Sequence, residues 1–243
     1  MPETKRQPLE VIAMHGWASD ARCWDPWKTA TRAMGWRWHT GERGYGEFAP
    51  HHPSWSWSEI GERRRVVMGH SLGPHMLSAE VLKRADAIVL LTSFAAFVPP
   101  GREGRRARAA LTGMAASLED EEKARTMLTN FMRKVAEPQS PGLLPPGPVD
   151  GSLDTSNRAR LREDLELLAR CDNLPEGFPR RARVLIVEAG EDRIVEPEAR
   201  AMLRAALPEA DVMSLPGVGH ALLAGEVIGR VAEWVEAWRA AEK

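Results

Sequence analysis

Val66-Val67-Met68-Gly69-His70-Ser71-Leu72-Gly73-Pro74-His75 is the stretch from which this chain is best read. An apolar, β-branched run ends in glycine, a serine stands two residues on, and a second glycine follows two beyond it. The spacing G-x-S-x-G between a predicted strand (Val66–Gly69) and a predicted helix (Pro74–Arg84) is a strand–turn–helix elbow. A turn that tight leaves no room for side chains at Gly69 and Gly73. It lifts the Ser71 hydroxyl clear of the sheet, and a helix behind it aims its positive N-terminal end at developing negative charge. Ser71 is therefore the candidate nucleophile. The competing reading, a structural serine in a glycine-rich turn, does not account for the flanking strand and helix.

Working outward, short apolar runs recur between helical patterns. The strands expected are Leu9–Met14, Trp36–Thr40, Val66–Gly69, Ala87–Thr92, Val184–Glu188 and Asp211–Leu215. Helical periodicity follows at Pro197–Leu207 and along Val227, Val231, Trp234, Val235 and Trp238. That alternation predicts an α/β fold with a mainly parallel sheet, residues 1–243 forming one domain. Residues 93–179 break the alternation. They hold three helical stripes: Leu111, Met114, Ala115 and Leu118; then Met127, Leu128, Phe131, Met132 and Val135; then Leu161, Leu165 and Leu168. Ser117 and the acidic run Glu119–Glu122 read as the start of the second helix, and the Pro/Gly-rich Pro138–Gly151 reads as loop. Such an insertion between two strands is expected to be a helical lid over the sheet's C-terminal edge, where ligands bind.

A serine hydroxyl needs a positioned base. His220, in Gly217-Val218-Gly219-His220-Ala221, follows the last strand and falls at the same sheet edge as Ser71. His51 and His52 lie in a Pro-rich loop, and His70 and His75 are too close to Ser71 in the chain to reach its hydroxyl. Asp192, after the strand Val184–Glu188, is the candidate to orient the imidazole, with Glu191 and Glu188 as fallbacks. The chain order Ser71, Asp192, His220 is the one this kind of elbow requires. Two N–H groups must face the oxyanion. Leu72, next after the nucleophile, supplies one, and Trp17, in Met14-His15-Gly16-Trp17 after the first strand, supplies the other. Gly16 lets that backbone come close.

The remaining composition narrows the partners. The 243 residues carry 43% hydrophobic side chains and a net charge of -1, so no overall field attracts nucleic acid or an anionic membrane. The polar start, Met1 to Gln7, leads into the apolar run Leu9–Met14, too short and wrongly flanked to be expected as a signal peptide, and no later stretch is long enough to span a bilayer. Cys23 and Cys171 fit neither a disulfide framework nor a metal site and suggest reduced thiols in the cytoplasm. No metal, phosphate-loop or dinucleotide signature is present, so no cofactor is expected. Seven of the nine tryptophans precede residue 58, which suits a core or an apolar ligand pocket.

His15-Gly16-Trp17, Gly41-Glu42-Arg43-Gly44-Tyr45-Gly46, the elbow and the Asp192 and His220 loops together resemble the α/β-hydrolase superfamily over essentially the whole chain. Within it the chain is most similar to the pimeloyl-[acyl-carrier-protein] methyl ester esterases of biotin synthesis. The similarity rests on Cys23-Trp24, Thr92-Ser93-Phe94, Asn130-Phe131-Met132 and Leu161–Asp172. His70 departs from the tryptophan frequent in that family, and Pro74-His75 replaces a second glycine. The resemblance implies a small helical lid whose basic residues meet an acidic carrier protein, with Phe131 among the lid's substrate contacts. Arg102, Arg105, Arg106 and Arg108 cluster at the start of the first lid helix, where cations oppose the helix dipole. They are read either as a solvated face or as a landing patch for a phosphopantetheine phosphate or acyl carrier protein. Three functions stay open: hydrolysis of a carrier-borne pimeloyl methyl ester, action on small free esters, lactones or a C–C bond, and a non-catalytic binding module.

Overall fold

The computed structural model describes residues 7–56 and 63–241, so residues 1–6, most of the polar start, and Trp57 lie outside it. Among the described residues six strands form, β1 (Leu9–Met14), β2 (Arg37–Thr40), β3 (Arg64–His70), β4 (Ala87–Leu91), β5 (Arg183–Ala189) and β6 (Asp211–Leu215). Every pairing is parallel, in the order β2-β1-β3-β4-β5-β6. All six residues of β1 and all five of β4 are buried, which explains their continuous apolar runs in a sheet covered on both faces. Edge strand β6 instead alternates between covered and open positions.

From β1 the chain moves outward to β2 and then returns to place β3 on the other side of β1. The strand order reverses there, so the loops leaving β1 and β3 diverge and open a crevice at the sheet's C-terminal edge. Met14 and Gly69, the last paired residues of β1 and β3, face each other at that edge.

The helices are α1 (Asp25–Thr31), α2 (Ala79–Lys83), α3 (Arg105–Ser117), α4 (Glu121–Ala136), α5 (Thr155–Arg170), α6 (Pro197–Ala206) and α7 (Glu226–Ala241). One apolar core joins Val11, Val66 and Val89 to Trp24, Trp27, Val231 and Trp238. On the opposite face Ile12, Val67 and Ile88 meet Val81, Leu82 and Leu203. A third core belongs to α3, α4 and α5, which all lie between β4 and β5 and carry the three predicted stripes.

Three expectations are corrected. The helix Pro74–Arg84 is broken: a single 3-10 turn, Gly73–Met76, gives way at Leu77, whose backbone is extended at φ −87° and ψ 148°. Ser78 then caps α2 by accepting from the Val81 N–H at 3.3 Å, so its side chain starts a new helix instead of continuing the old one. The dipole behind Ser71 is thus that of one short turn. The second strand begins at Arg37, the first of its residues to pair with β1, while the Trp36 side chain is buried and donates from Nε1 to Glu236 at 2.8 Å. The cap of α4 is Asp120, which accepts from the Lys123 N–H at 2.9 Å; the Ser117 hydroxyl turns back onto the Gly113 carbonyl at 3.0 Å.

The insertion is tied to the sheet edge by a buried carboxylate. Asp164 of α5 accepts from the Tyr45 hydroxyl at 2.6 Å and from the Arg43 guanidinium at 2.6 and 2.8 Å. Burial and the Asp164 charge push the Tyr45 phenol well above its usual range, so it remains a donor.

Candidate active site

Ser71 is held at φ 53°, in the left-handed region that a non-glycine residue occupies only under constraint. Its N–H donates to the Leu91 carbonyl at 2.9 Å, and its carbonyl accepts from the Ser93 hydroxyl at 2.7 Å. The expectation about the two glycines is met by the packing. A Cβ on Gly73 would lie 2.2 Å from the Met14 carbonyl oxygen, and one on Gly69 would lie 2.3 Å from the Pro74 ring.

His220 follows β6 and Asp192 follows β5. The His220 imidazole donates from Nδ1 to Asp192 Oδ2 at 2.9 Å, with side-chain exposures of 3% and 0%. The other carboxylate oxygen, Oδ1, accepts from the Ile194 and Val195 N–H groups at 2.8 and 3.0 Å. Burial alone would raise the Asp192 pKa. The nearby His220 charge, its hydrogen bond and the two N–H groups outweigh burial and hold the carboxyl below its ordinary value. With Nδ1–H committed to the carboxylate, Nε2 of the neutral ring carries the free lone pair. Neither fallback competes: Glu188 pairs with Arg204 at 2.6 Å, and Glu191 is exposed.

The segment leaving β4 steadies both loops. Ser93 holds the Ser71 carbonyl, while Thr92 donates its hydroxyl to the His220 carbonyl at 3.0 Å. His70 donates to that same carbonyl from Nε2 at 2.9 Å. Burial, with the adjacent His220 charge, lowers the His70 pKa to about 4 and keeps the ring neutral. Sequence reasoning assigned none of these three a role. Thr92 and Ser93 entered it as a strand end, the start of the insertion and part of a family likeness, and His70 as a histidine too close to Ser71 and a departure from that family's tryptophan.

Gly16 lies against the elbow, a Cβ there meeting Ser71 Cβ at 3.0 Å. That close approach sets the backbone at Gly16 and Trp17 beside the elbow, where Leu72 follows Ser71 in the chain. Among the described residues neither N–H meets an acceptor. The Trp17 indole donates to the Leu161 carbonyl at 2.8 Å, and its ring meets Phe131 edge-on with centroids 5.0 Å apart.

Ser71 and His220 border one cavity of about 480 Å³. Phe131, Leu111 and Leu165 of the insertion wall it on one side, Trp24, Trp27 and Ile228 on another, and Leu143–Gly147 of the proline-rich loop on a third. No aspartate, glutamate, lysine or arginine lies among its described lining residues. Arg102, Arg105, Arg106 and Arg108 are exposed outside it. Arg108 spends its guanidinium on the Pro99 and Gly101 carbonyls, which fastens the loop ahead of α3. His51, paired through its backbone with Glu42, is exposed and outside the cavity too.

The Alpha/beta hydrolase family model matches residues 11–234. The chain belongs to the alpha/beta hydrolase family. That membership agrees with the fold class and the hydrolase class read from the sequence. Solved structures similar to this alpha/beta hydrolase include an esterase from Exiguobacterium antarcticum, at 17% identity and TM-score 0.66, covering 97% of this chain and 92% of that one. The esterase RhEst1 from Rhodococcus sp. is 18% identical at TM-score 0.62, covering 97% and 92% of the two chains. An esterase from Thermogutta terrifontis is 15% identical at TM-score 0.63, covering 95% and 90%. Likeness at these identities is likeness of fold. No curated protein matches this alpha/beta hydrolase. Among its described residues, no helix is long and apolar enough to cross a membrane.

Proposed function

We propose that this alpha/beta hydrolase is a serine esterase for uncharged, apolar esters. Ser71 Oγ attacks the ester carbonyl while His220 Nε2 takes its proton, and Asp192 steadies the resulting imidazolium. The Trp17 and Leu72 N–H groups face the oxyanion. His220 then passes its proton to the departing alcohol, and water, activated by the same base, frees the acid. The observation that carries the reading is the buried His220–Asp192 pair, 2.9 Å long, on the cavity that also holds the strained Ser71. Substrate charge follows from the lining: an ionised group enters a charge-free apolar cavity only at a large desolvation cost. The α3–α5 insertion is read as a lid over this cavity, residues 93–179 serving one catalytic domain. The two free thiols, Cys23 and Cys171, suit the cytoplasm.

Steady-state hydrolysis of p-nitrophenyl hexanoate, set against an ester bearing a free carboxylate on its acyl chain, tests this. Turnover of the first with kcat/KM at least tenfold above the second is expected. No turnover of any ester would leave a binding module, or a different reaction, as the reading of the same site.

A second, narrower reading is the methyl ester of a pimeloyl chain on acyl carrier protein. The exposed Arg102, Arg105 and Arg106, grouped at the start of α3 with no carboxylate partner among the described residues, favour it. Such a patch suits an acidic carrier.

A further inference from the structure

Besides the proline-rich loop, the cavity has two apolar walls of separate origin, and the chemistry at Ser71 assigns them different halves of the ester. One wall belongs to the insertion core, where Leu111, Leu165 and Leu168 pack with Trp17. The other belongs to the core beneath α1 and α7, where Trp24, Trp27 and Leu222 pack with Ile228. The second wall is continuous with the base: residues 221–225, which run directly on from His220, all border the cavity.

In the tetrahedral intermediate the ester's three substituents cannot be exchanged. The former carbonyl oxygen faces the N–H groups of Trp17 and Leu72. The leaving oxygen must lie within hydrogen-bond reach of His220 Nε2, because that nitrogen returns the proton taken from Ser71. When the C–O bond breaks, its electron pair stays on the leaving oxygen, the His220 proton completes the alcohol, and the acyl group remains on Ser71. The alcohol's carbon chain therefore starts beside His220 and runs along residues 221–225 toward Trp24, Trp27 and Ile228. The acyl chain is left with the wall under the insertion.

A methanol leaving group would leave that second wall unused. Two tryptophans, a leucine and an isoleucine form instead an apolar surface that rewards length. Each methylene fully withdrawn from water strengthens binding roughly fourfold. We propose that the wall of Trp24, Trp27, Leu222 and Ile228 is the alcohol site, and that the preferred substrates are neutral esters whose leaving alcohol is itself apolar and several carbons long. This rests on the serine-esterase reading and narrows it. It also opposes the methyl-ester reading, since the two predict opposite dependences on the alcohol.

The test is acid release by the full chain from hexanoate esters of methanol, butanol and hexanol, followed by a pH indicator. The expected result is a kcat/KM that rises at least tenfold from methyl to hexyl, carried mainly by KM. In Ile228→Trp, which fills the wall, the hexyl-to-methyl ratio should fall by at least tenfold, whereas its preference between butyrate and octanoate acyl chains should hold. A flat or falling series in the unaltered protein overturns the proposal without needing any variant. An Ile228→Trp protein that shifts acyl-chain preference instead of alcohol preference overturns the assignment of the two walls. Absence of turnover on all esters removes the esterase reading itself, and this proposal with it.

Discussion

The imidazole of His70 donates from Nε2 to the backbone carbonyl of His220 at 2.9 Å, while the two rings sit 5.0 Å apart. The residue just before Ser71, the proposed nucleophile, thus holds the loop that carries His220, the proposed base. Its neutrality matters to the proposed mechanism, in which a charged ring at that distance would oppose the His220 imidazolium.

Replacement of His70 separates the hydrogen bond from the titration. His70→Gln keeps an N–H donor and should retain most of kcat, whereas His70→Phe should lose about tenfold, chiefly in kcat, as a positioning role requires. A second readout is stability. The His70 pKa falls from 6.5 to about 4 on folding, so the unfolded chain binds the proton more tightly and stability declines as pH drops through that window. Going from pH 7 to pH 5 should cost the parent protein about 2 kcal/mol more than His70→Gln, measured by urea unfolding. Equal pH dependence in both proteins contradicts this role.

Asp192→Asn should lower kcat by roughly 10³- to 10⁴-fold, read with a chromogenic ester. The asparagine carbonyl can still accept from Ile194 and Val195, but its amide then faces His220 Nδ1–H and forces the other tautomer. The carboxyl of Asp192 is held below its ordinary 3.8, so it adds stability above that pH and loses it as pH falls through the lowered value. The variant should therefore show a shallower acid-unfolding profile. Glu191→Gln should leave activity near the parent's, since Glu191 is exposed.

The elbow and the sheet were legible because each rests on short-range constraints, and Asp192 and His220 could be placed at the edge that carries Ser71 because each lies on a loop that follows a strand. Gly69 and Gly73 are dictated by atoms within a few residues or across one strand pair, and apolar runs report burial directly. Most of what escaped depends on side chains meeting across long sequence separations. Asp164 is the clearest example: it sits on the same helix face as Leu161, Leu165 and Leu168, and an acid on an apolar stripe signals a buried partner. Which partner, Arg43 and Tyr45, only the tertiary fold decides. Ser78 escaped for a local reason: it looks like any polar residue in a helical pattern until its side chain takes the Val81 N–H, three residues on, and restarts the helix.

Asp164→Ala should be strongly destabilising. It removes the carboxylate that the buried Tyr45 hydroxyl donates to and leaves the partly buried Arg43 guanidinium with Glu163 alone, an exposed partner at 3.0 Å. A loss of about 3–5 kcal/mol is expected by chemical denaturation. Asp164→Asn, which keeps one acceptor, should lose less.

Reversing Arg105 and Arg106 to glutamate tests the carrier-protein reading. The change places acids at the start of α3, where the helix dipole favours them, so stability should not fall. On that reading kcat/KM for a carrier-bound ester drops roughly tenfold at low salt, and the loss shrinks as salt screens the patch. Equal rates with and without the reversal identify a solvated face.

Covalent labelling by a fluorophosphonate tests the central claim most directly, because it reports the nucleophile without presuming a substrate. The unaltered protein should gain one adduct by intact mass, mapped to the peptide containing Ser71. The Ser71→Ala protein, with its unfolding midpoint unchanged, should gain none. Labelling of Ser71→Ala at the parent's rate, or an adduct mapped to any other residue, would contradict the account.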